Sequence, residues 1–223
     1  MDGEFLYKGE AAMHELLSFT LLGLTSFFTL INPLGVMPIF MTMTGELQEQ
    51  ERKRTAKKAV FVSFIILMVF AFTGQLLFKF FGISVNSLKI VGGVIFFLMG
   101  QDMLQARLVK TKISEKEVRT YVNDISITPL AIPMICGPGA ITNAIVLMEK
   151  ANTIDMKVIL VIAVAVICFL TYIILLNSSK LIRALGDTGN DVLMRLMGLI
   201  VMVIAVEFFV SGLKPIVQDI LHI

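Results

Sequence analysis

Charge disappears from this chain over four long stretches, residues 16–45, 59–78, 125–148 and 158–179. Each is long enough to cross the hydrocarbon core of a bilayer, for which about 20 apolar residues suffice. Two further apolar stretches, 87–104 and 192–213, carry Lys89, Asp102, Arg195 and Glu207 near their ends. Long side chains can reach the interface from such positions. The pattern predicts an all-α integral membrane protein with six transmembrane helices. A polar tail is expected over residues 1–15. Its acidic residues Asp2, Glu4, Glu10 and Glu15 do not make the basic n-region of a signal peptide.

The spans repeat. Leu88-Lys89-Ile90-Val91-Gly92 in the third corresponds to Met194-Arg195-Leu196-Met197-Gly198 in the sixth, and each continues apolar to a polar residue, Gln101 or Glu207. At nearly the same offset of about 105 residues, Asn32-Pro33-Leu34-Gly35 falls near Gly137-Pro138-Gly139-Ala140, and Gly82 falls on Gly186. A unit with an odd number of spans must insert its second copy upside down. The expected organisation is therefore two inverted three-helix repeats, 16–106 and 125–223, joined by a cytoplasmic linker over 107–124. Such architecture is typical of secondary transporters, with the substrate held near the midplane where the repeats meet.

Proline marks where the first helix of each repeat breaks. Of six prolines, Pro33 and Pro38 lie in the first span and Pro129, Pro133 and Pro138 in the fourth. Proline removes an amide donor and clashes with the carbonyl four residues back, and neighbouring glycine lowers the cost of leaving helical geometry. Irregular backbone persists at membrane depth only where protein or a water-filled cavity surrounds it, so the breaks should face inward. A helix that restarts in mid-membrane offers free amides and the positive end of its dipole to an anion such as a carboxylate. The expected substrate-binding residues are Asn32, Pro33, Leu34, Gly35, Gly137, Pro138, Gly139, Ala140 and Thr142. The amides of 34–36 and 139–141 would meet the charged ends of a small ligand, and Asn32 and Thr142 would cap the breaks or bond the ligand. Kinks that only shape packing are the alternative, for Pro129 and Pro133 above all.

The overall composition, 57% hydrophobic and 16% charged with a mean hydropathy of +0.87, agrees with a membrane solvent. The formal charge of +2 is small and falls between spans, which gives no support to a nucleic-acid partner. The basic residues report orientation instead. Arg52, Lys53, Arg54, Lys57 and Lys58 follow the first span, Arg107, Lys110, Lys112, Lys116 and Arg119 the third, and Lys180, Arg183 and Arg195 the fifth. The positive-inside rule makes these loops cytoplasmic and both termini extracytoplasmic.

Cys136 and Cys168 lie inside apolar spans and read as core. His14 and His222 lie outside the spans, no His or Cys spacing suits a metal, and no aspartate pair shares an apolar helix. These features speak against an enzyme, a metal or a cofactor. Asp102 and Glu207 are the ionisable groups nearest membrane depth, hence candidates for ion coupling, with an interfacial position as the alternative.

The stretch 31–40, Ile-Asn-Pro-Leu-Gly-Val-Met-Pro-Ile-Phe, resembles the MarC family of bacterial and archaeal inner-membrane proteins. So do Pro129-Leu130-Ala131-Ile132-Pro133 with Gly137-Pro138-Gly139-Ala140-Ile141-Thr142, and Val91-Gly92-Gly93-Val94. The resemblance covers nearly the whole chain after residue 13. It implies an inner-membrane location and, from members similar to transporters of glycine and alanine, a small neutral amino acid as substrate. The expected function is a secondary transporter working by alternating access on a proton or sodium gradient; a passive channel or facilitator is the alternative. Single cysteines placed near Glu4 should label with a membrane-impermeant maleimide added outside cells, and cysteines between Arg52 and Lys58 should not; the reverse pattern would overturn the orientation.

Overall fold

The computed structural model describes residues 2–45, 47–105 and 118–221, and all its regular elements there are helices. In chain order they are α1 (Asp2–Ile31), α2 (Pro33–Thr44), α3 (Glu49–Phe81), α4 (Val85–Leu104), α5 (Val118–Ile125), a π-helical segment (Ser126–Ile135), α6 (Pro138–Lys150) and α7 (Ile154–Leu221). Among the described residues five spans are long and apolar enough to cross a membrane, and the bent pair Thr120–Ile135 and Pro138–Lys150 makes a sixth if it is one crossing. The tail expected over 1–15 is helical from Asp2, as the start of α1. Most of the linker expected over 107–124, with Arg107, Lys110, Lys112 and Lys116, lies outside the described residues; its end is α5.

The two spans with more than one proline are broken, whereas Pro215 sits inside α7 without a break. α1 and α2 meet at Asn32, which takes a left-handed conformation (φ 46°). The fourth span leaves helical geometry at Thr128 and Ile132, each just before a proline, and restarts as α6 after a bend of 59°. Residues before proline are pushed toward extended backbone, which is what these two adopt. α7 makes the last two crossings as one element interrupted at Gly186 (φ 69°). Gly82, which ends α3, is left-handed (φ 64°).

Hydrophobic residues occupy both sides of each helix, so size decides which side packs. On α3 the buried stripe is Ala56, Ala59, Ser63, Leu67, Ala71 and Gly74, while Phe61, Ile65, Val69, Phe72 and Leu76 are exposed. Between lipid-surrounded helices there is little hydrophobic driving force, and small residues gain contact by letting helices approach. Gly74 accepts Ile145 of α6: a Cβ there would stand 2.5 Å from its side chain.

The closest seam joins α4 to the second half of α7, Asp191–Leu221, running antiparallel. A Cβ on Gly93 would lie 2.7 Å from the Ala205 carbonyl, one on Gly100 2.7 Å from the Gly198 carbonyl, and one on Gly212 2.6 Å from the Asn86 carbonyl. These are backbone neighbours that cannot rotate away. Gly100→Ala should therefore destabilise the purified protein by about 1–3 kcal/mol through overpacking. Gly23→Ala, whose Cβ would meet only the Ala163 side chain at 3.5 Å, should be neutral or stabilising, by up to about 1 kcal/mol. Thermal unfolding of both variants in detergent reads the contrast.

Candidate functional site

The first break satisfies itself. The Asn32 side chain accepts from the Gly35 amide at 3.2 Å, and its carbonyl accepts from Gly35 at 2.9 Å and Val36 at 3.1 Å. Pro33 has no amide proton, so Leu34 holds the one amide of this turn without a partner among the described residues. The expectation that Leu34, Gly35 and Val36 together present free amides is thus corrected for Gly35 and Val36. Asparagine suits the position because it tolerates left-handed backbone and carries a capping oxygen. A Cβ on Gly35 would collide with the Asn32 side chain, which explains the glycine.

The second break is different. α6 starts at Pro138 after Gly137 with no side-chain cap, and its first tethered amide is Ile141, donating to the Gly137 carbonyl at 3.0 Å. The amides of Gly139 and Ala140 have no hydrogen-bond partner among the described residues. One turn on, Thr142 is buried and its Oγ1 is unpartnered. Other helical threonines here, Thr42, Thr44, Thr55 and Thr171 among them, donate to the carbonyl four residues back. Thr142 does not. Helical side chains lean toward the N-terminus, so its hydroxyl leans toward the turn that carries the two open amides. Leaving a buried hydroxyl unpaired costs about 1–3 kcal/mol.

Two aromatic side chains, absent from the sequence-based site, sit between the breaks. Phe96 of α4 lines a cavity of 30 Å³ beside Asn32 and Gly35, and the same ring lies where a Cβ on Gly137 would come within 2.5 Å. The Phe208 ring of α7 stands 2.8 Å from a Cβ built on Gly139, with Leu30 of α1 at 3.2 Å. The two rings are 6.4 Å apart. Gly92, one turn before Phe96, accepts Pro138, whose Cβ would be 2.5 Å from a Cβ at Gly92. Phe96 and Met134 thus carry the wall of the first break to the edge of the second, and the Asn143 side chain donates to Ser26 Oγ at 2.9 Å, tying α6 to α1.

Among the remaining predicted residues, Pro33, Pro138 and Ala140 are buried and Leu34 is half-exposed. Asp102 and Glu207 are exposed and do not line the cavity. Cys136 and Cys168 are both free and buried. Among the described residues no group of acidic, His and Cys side chains could hold a metal.

A sequence profile described as the MarC family integral membrane protein matches residues 17–217, from the start of the first apolar span to the last turns of α7. The chain belongs to the MarC family. Both breaks, the Phe96–Phe208 contact and the glycine seam fall inside the matched region, and so count as part of a MarC protein rather than an appendage to it. Among MarC relatives, a UPF0056 membrane protein of Methanocaldococcus jannaschii is 36% identical over 200 residues, covering 89% of this chain and 97% of its own. One from Pyrococcus horikoshii is 39% identical over 190 residues, with 85% and 92% covered. One from Buchnera aphidicola is 36% identical over 197 residues, with 88% and 92% covered. No solved structure matches.

The two breaks should respond in opposite ways to loss of their polar side chain. Asn32→Ala removes a cap and a residue suited to left-handed backbone, and should cost about 1–2 kcal/mol. Thr142→Val replaces a buried, unpartnered hydroxyl by a methyl group and should be neutral or stabilising by about 1 kcal/mol without ligand. Thermal unfolding of the two purified variants checks the signs.

Proposed function

We propose that this MarC protein is a secondary transporter of small neutral amino acids in the inner membrane, with both termini outside, cycling by alternating access between two inverted three-helix halves. The observation that carries the proposal is the uncapped start of α6: two open amides and a buried, unpartnered threonine hydroxyl at mid-span. A carboxylate would accept from the Gly139 and Ala140 amides with the help of the α6 dipole. Thr142 would donate to the same group, which removes the cost of leaving its hydroxyl unpaired. Phe96, Phe208 and Leu30 leave little room beyond, which favours a side chain no larger than that of alanine or serine.

The inverted arrangement draws support from paired features. The offset that carries Gly82 onto Gly186, both at positive φ, also carries Gly74 onto Ser178 and Met41 onto Ile145. Gly74 packs on Ile145, and Ser178 donates to the Met41 sulfur at 2.9 Å. Each contact is what a two-fold exchange of the halves makes of the other. The cavity beside Asn32, at 30 Å³, has room for about two water molecules and less than glycine requires. The site must open to admit a substrate, which favours alternating access over a standing pore.

Purified protein in liposomes, given labelled glycine, alanine or serine with and without proton or sodium gradients, tests the proposal. Gradient-driven accumulation of at least one of them is expected. Thr142→Val should lower the uptake about tenfold, one lost hydrogen bond to a charged group, while the variant still inserts and unfolds normally. Equilibration without accumulation would replace the coupled transporter by a facilitator, and full activity in Thr142→Val would remove α6 from the site.

A further inference from the structure

We infer that a trough between α3 and the first half of α7 is a binding site for one anionic phospholipid of the surrounding bilayer. The trough measures 450 Å³, many times the central cavity and within the range of about 300–1,000 Å³ usual for small-molecule sites. Phe61 and Phe64 rise from α3, Phe169 and Tyr172 from α7, with the small residue Cys168 between them and Lys57 at one end.

The chemistry is graded along the trough. Lys57 lies in the charged opening turns of α3, just before the uncharged run that begins at residue 59. At 1.5 Å per residue, Phe61 lies about 6 Å and Phe64 about 10 Å deeper than Lys57. Lys57 and Tyr172 share the end rich in basic residues, and Ala165 shares the deep end with Phe64. Amphipathic tyrosine and lysine side chains belong at headgroup level. The ordering fits a lipid: a phosphate at Lys57 and Tyr172, an acyl chain along Phe61, Phe64 and Phe169.

Charge complementarity selects the anionic headgroup. Lys53 is already paired with Glu49 at 2.7 Å, and Lys58 donates to Asn123 at 2.7 Å. Lys57 lies on the same exposed helical end, has no hydrogen-bond or ionic partner among the described residues, and lines the trough. A zwitterionic lipid would bring its own cation against Lys57, whereas phosphatidylglycerol or cardiolipin would not. Basic pockets between helices near the cytoplasmic surface recognise anionic lipids in this way. The site is separate from the α6 break and does not depend on the transport proposal.

Native mass spectrometry of the detergent-purified protein, titrated with dioleoyl phosphatidylglycerol or dioleoyl phosphatidylcholine, tests the assignment. One phosphatidylglycerol per chain should be retained about fivefold better than phosphatidylcholine, the effect of one basic residue near a membrane surface. Lys57→Gln should erase that preference, and Lys79→Gln, at the far end of α3, should leave it intact. Ala165→Trp, which fills the trough, should reduce retention of both lipids. Equal preference in wild type and Lys57→Gln would overturn the proposal. So would a two-chain species without lipid that Ala165→Trp dissociates, since a second copy would then own the trough.

Discussion

Every amide and carbonyl inside hydrocarbon needs a partner within the protein, and the shape of this molecule follows from how its chain meets that demand where helices stop. Intact helices satisfy it without help, and α3 crosses on that basis alone. At Asn32 the demand is met locally, by one residue that turns left-handed and folds its own oxygen over the new helix end. At Gly137 it is not met by any side chain, and the neighbours supply dense packing instead: Phe96 over Gly137, Phe208 and Leu30 over Gly139, Gly92 under Pro138. Two breaks that look alike in sequence are therefore unlike in polarity. The first is closed apart from the Leu34 amide, the second open.

That difference gives chemical meaning to the crowding between them. Glycines at 92, 137 and 139 let a helix start approach two aromatic rings, so the open amides face a closely packed, largely apolar wall. Amides are stronger recognition groups under such conditions, because hydrogen bonds to an anion gain from the low local dielectric. A buried hydroxyl held without a partner is costly in a protein that uses it for packing and useful in one that uses it for a ligand. Thr142 belongs to the second description under the proposed transport function.

Much of the architecture was legible in the charge pattern. The apolar spans and both broken helices could be read from uncharged runs and prolines. The helical tail before residue 13 was not, because polarity marks a segment as leaving the membrane and says nothing of whether it stays helical. The occupied Gly35 and Val36 amides were also hidden, since capping depends on a left-handed Asn32 that no sequence pattern fixes. Phe96 and Phe208 carry no sequence mark for a simpler reason. In a chain so apolar, hydrophobic periodicity cannot separate a ring facing lipid from one facing a glycine, and the outward Phe72 and inward Phe96 look the same until helices are packed.

The glycine seam between α4 and α7 also bears on how the sequence can change over time. A position such as Phe72 answers only to lipid, and any bulky apolar side chain meets that requirement. Gly100 and Gly198 face each other's backbone and admit one residue type. Hydrophobicity is easily maintained by exchange among Leu, Ile, Val and Phe, whereas the absence of a side chain is lost by any amino-acid substitution. Drift should therefore spread over the outer surface and stop at the seam, so that the least chemically distinctive residues in the chain are among the most tightly held.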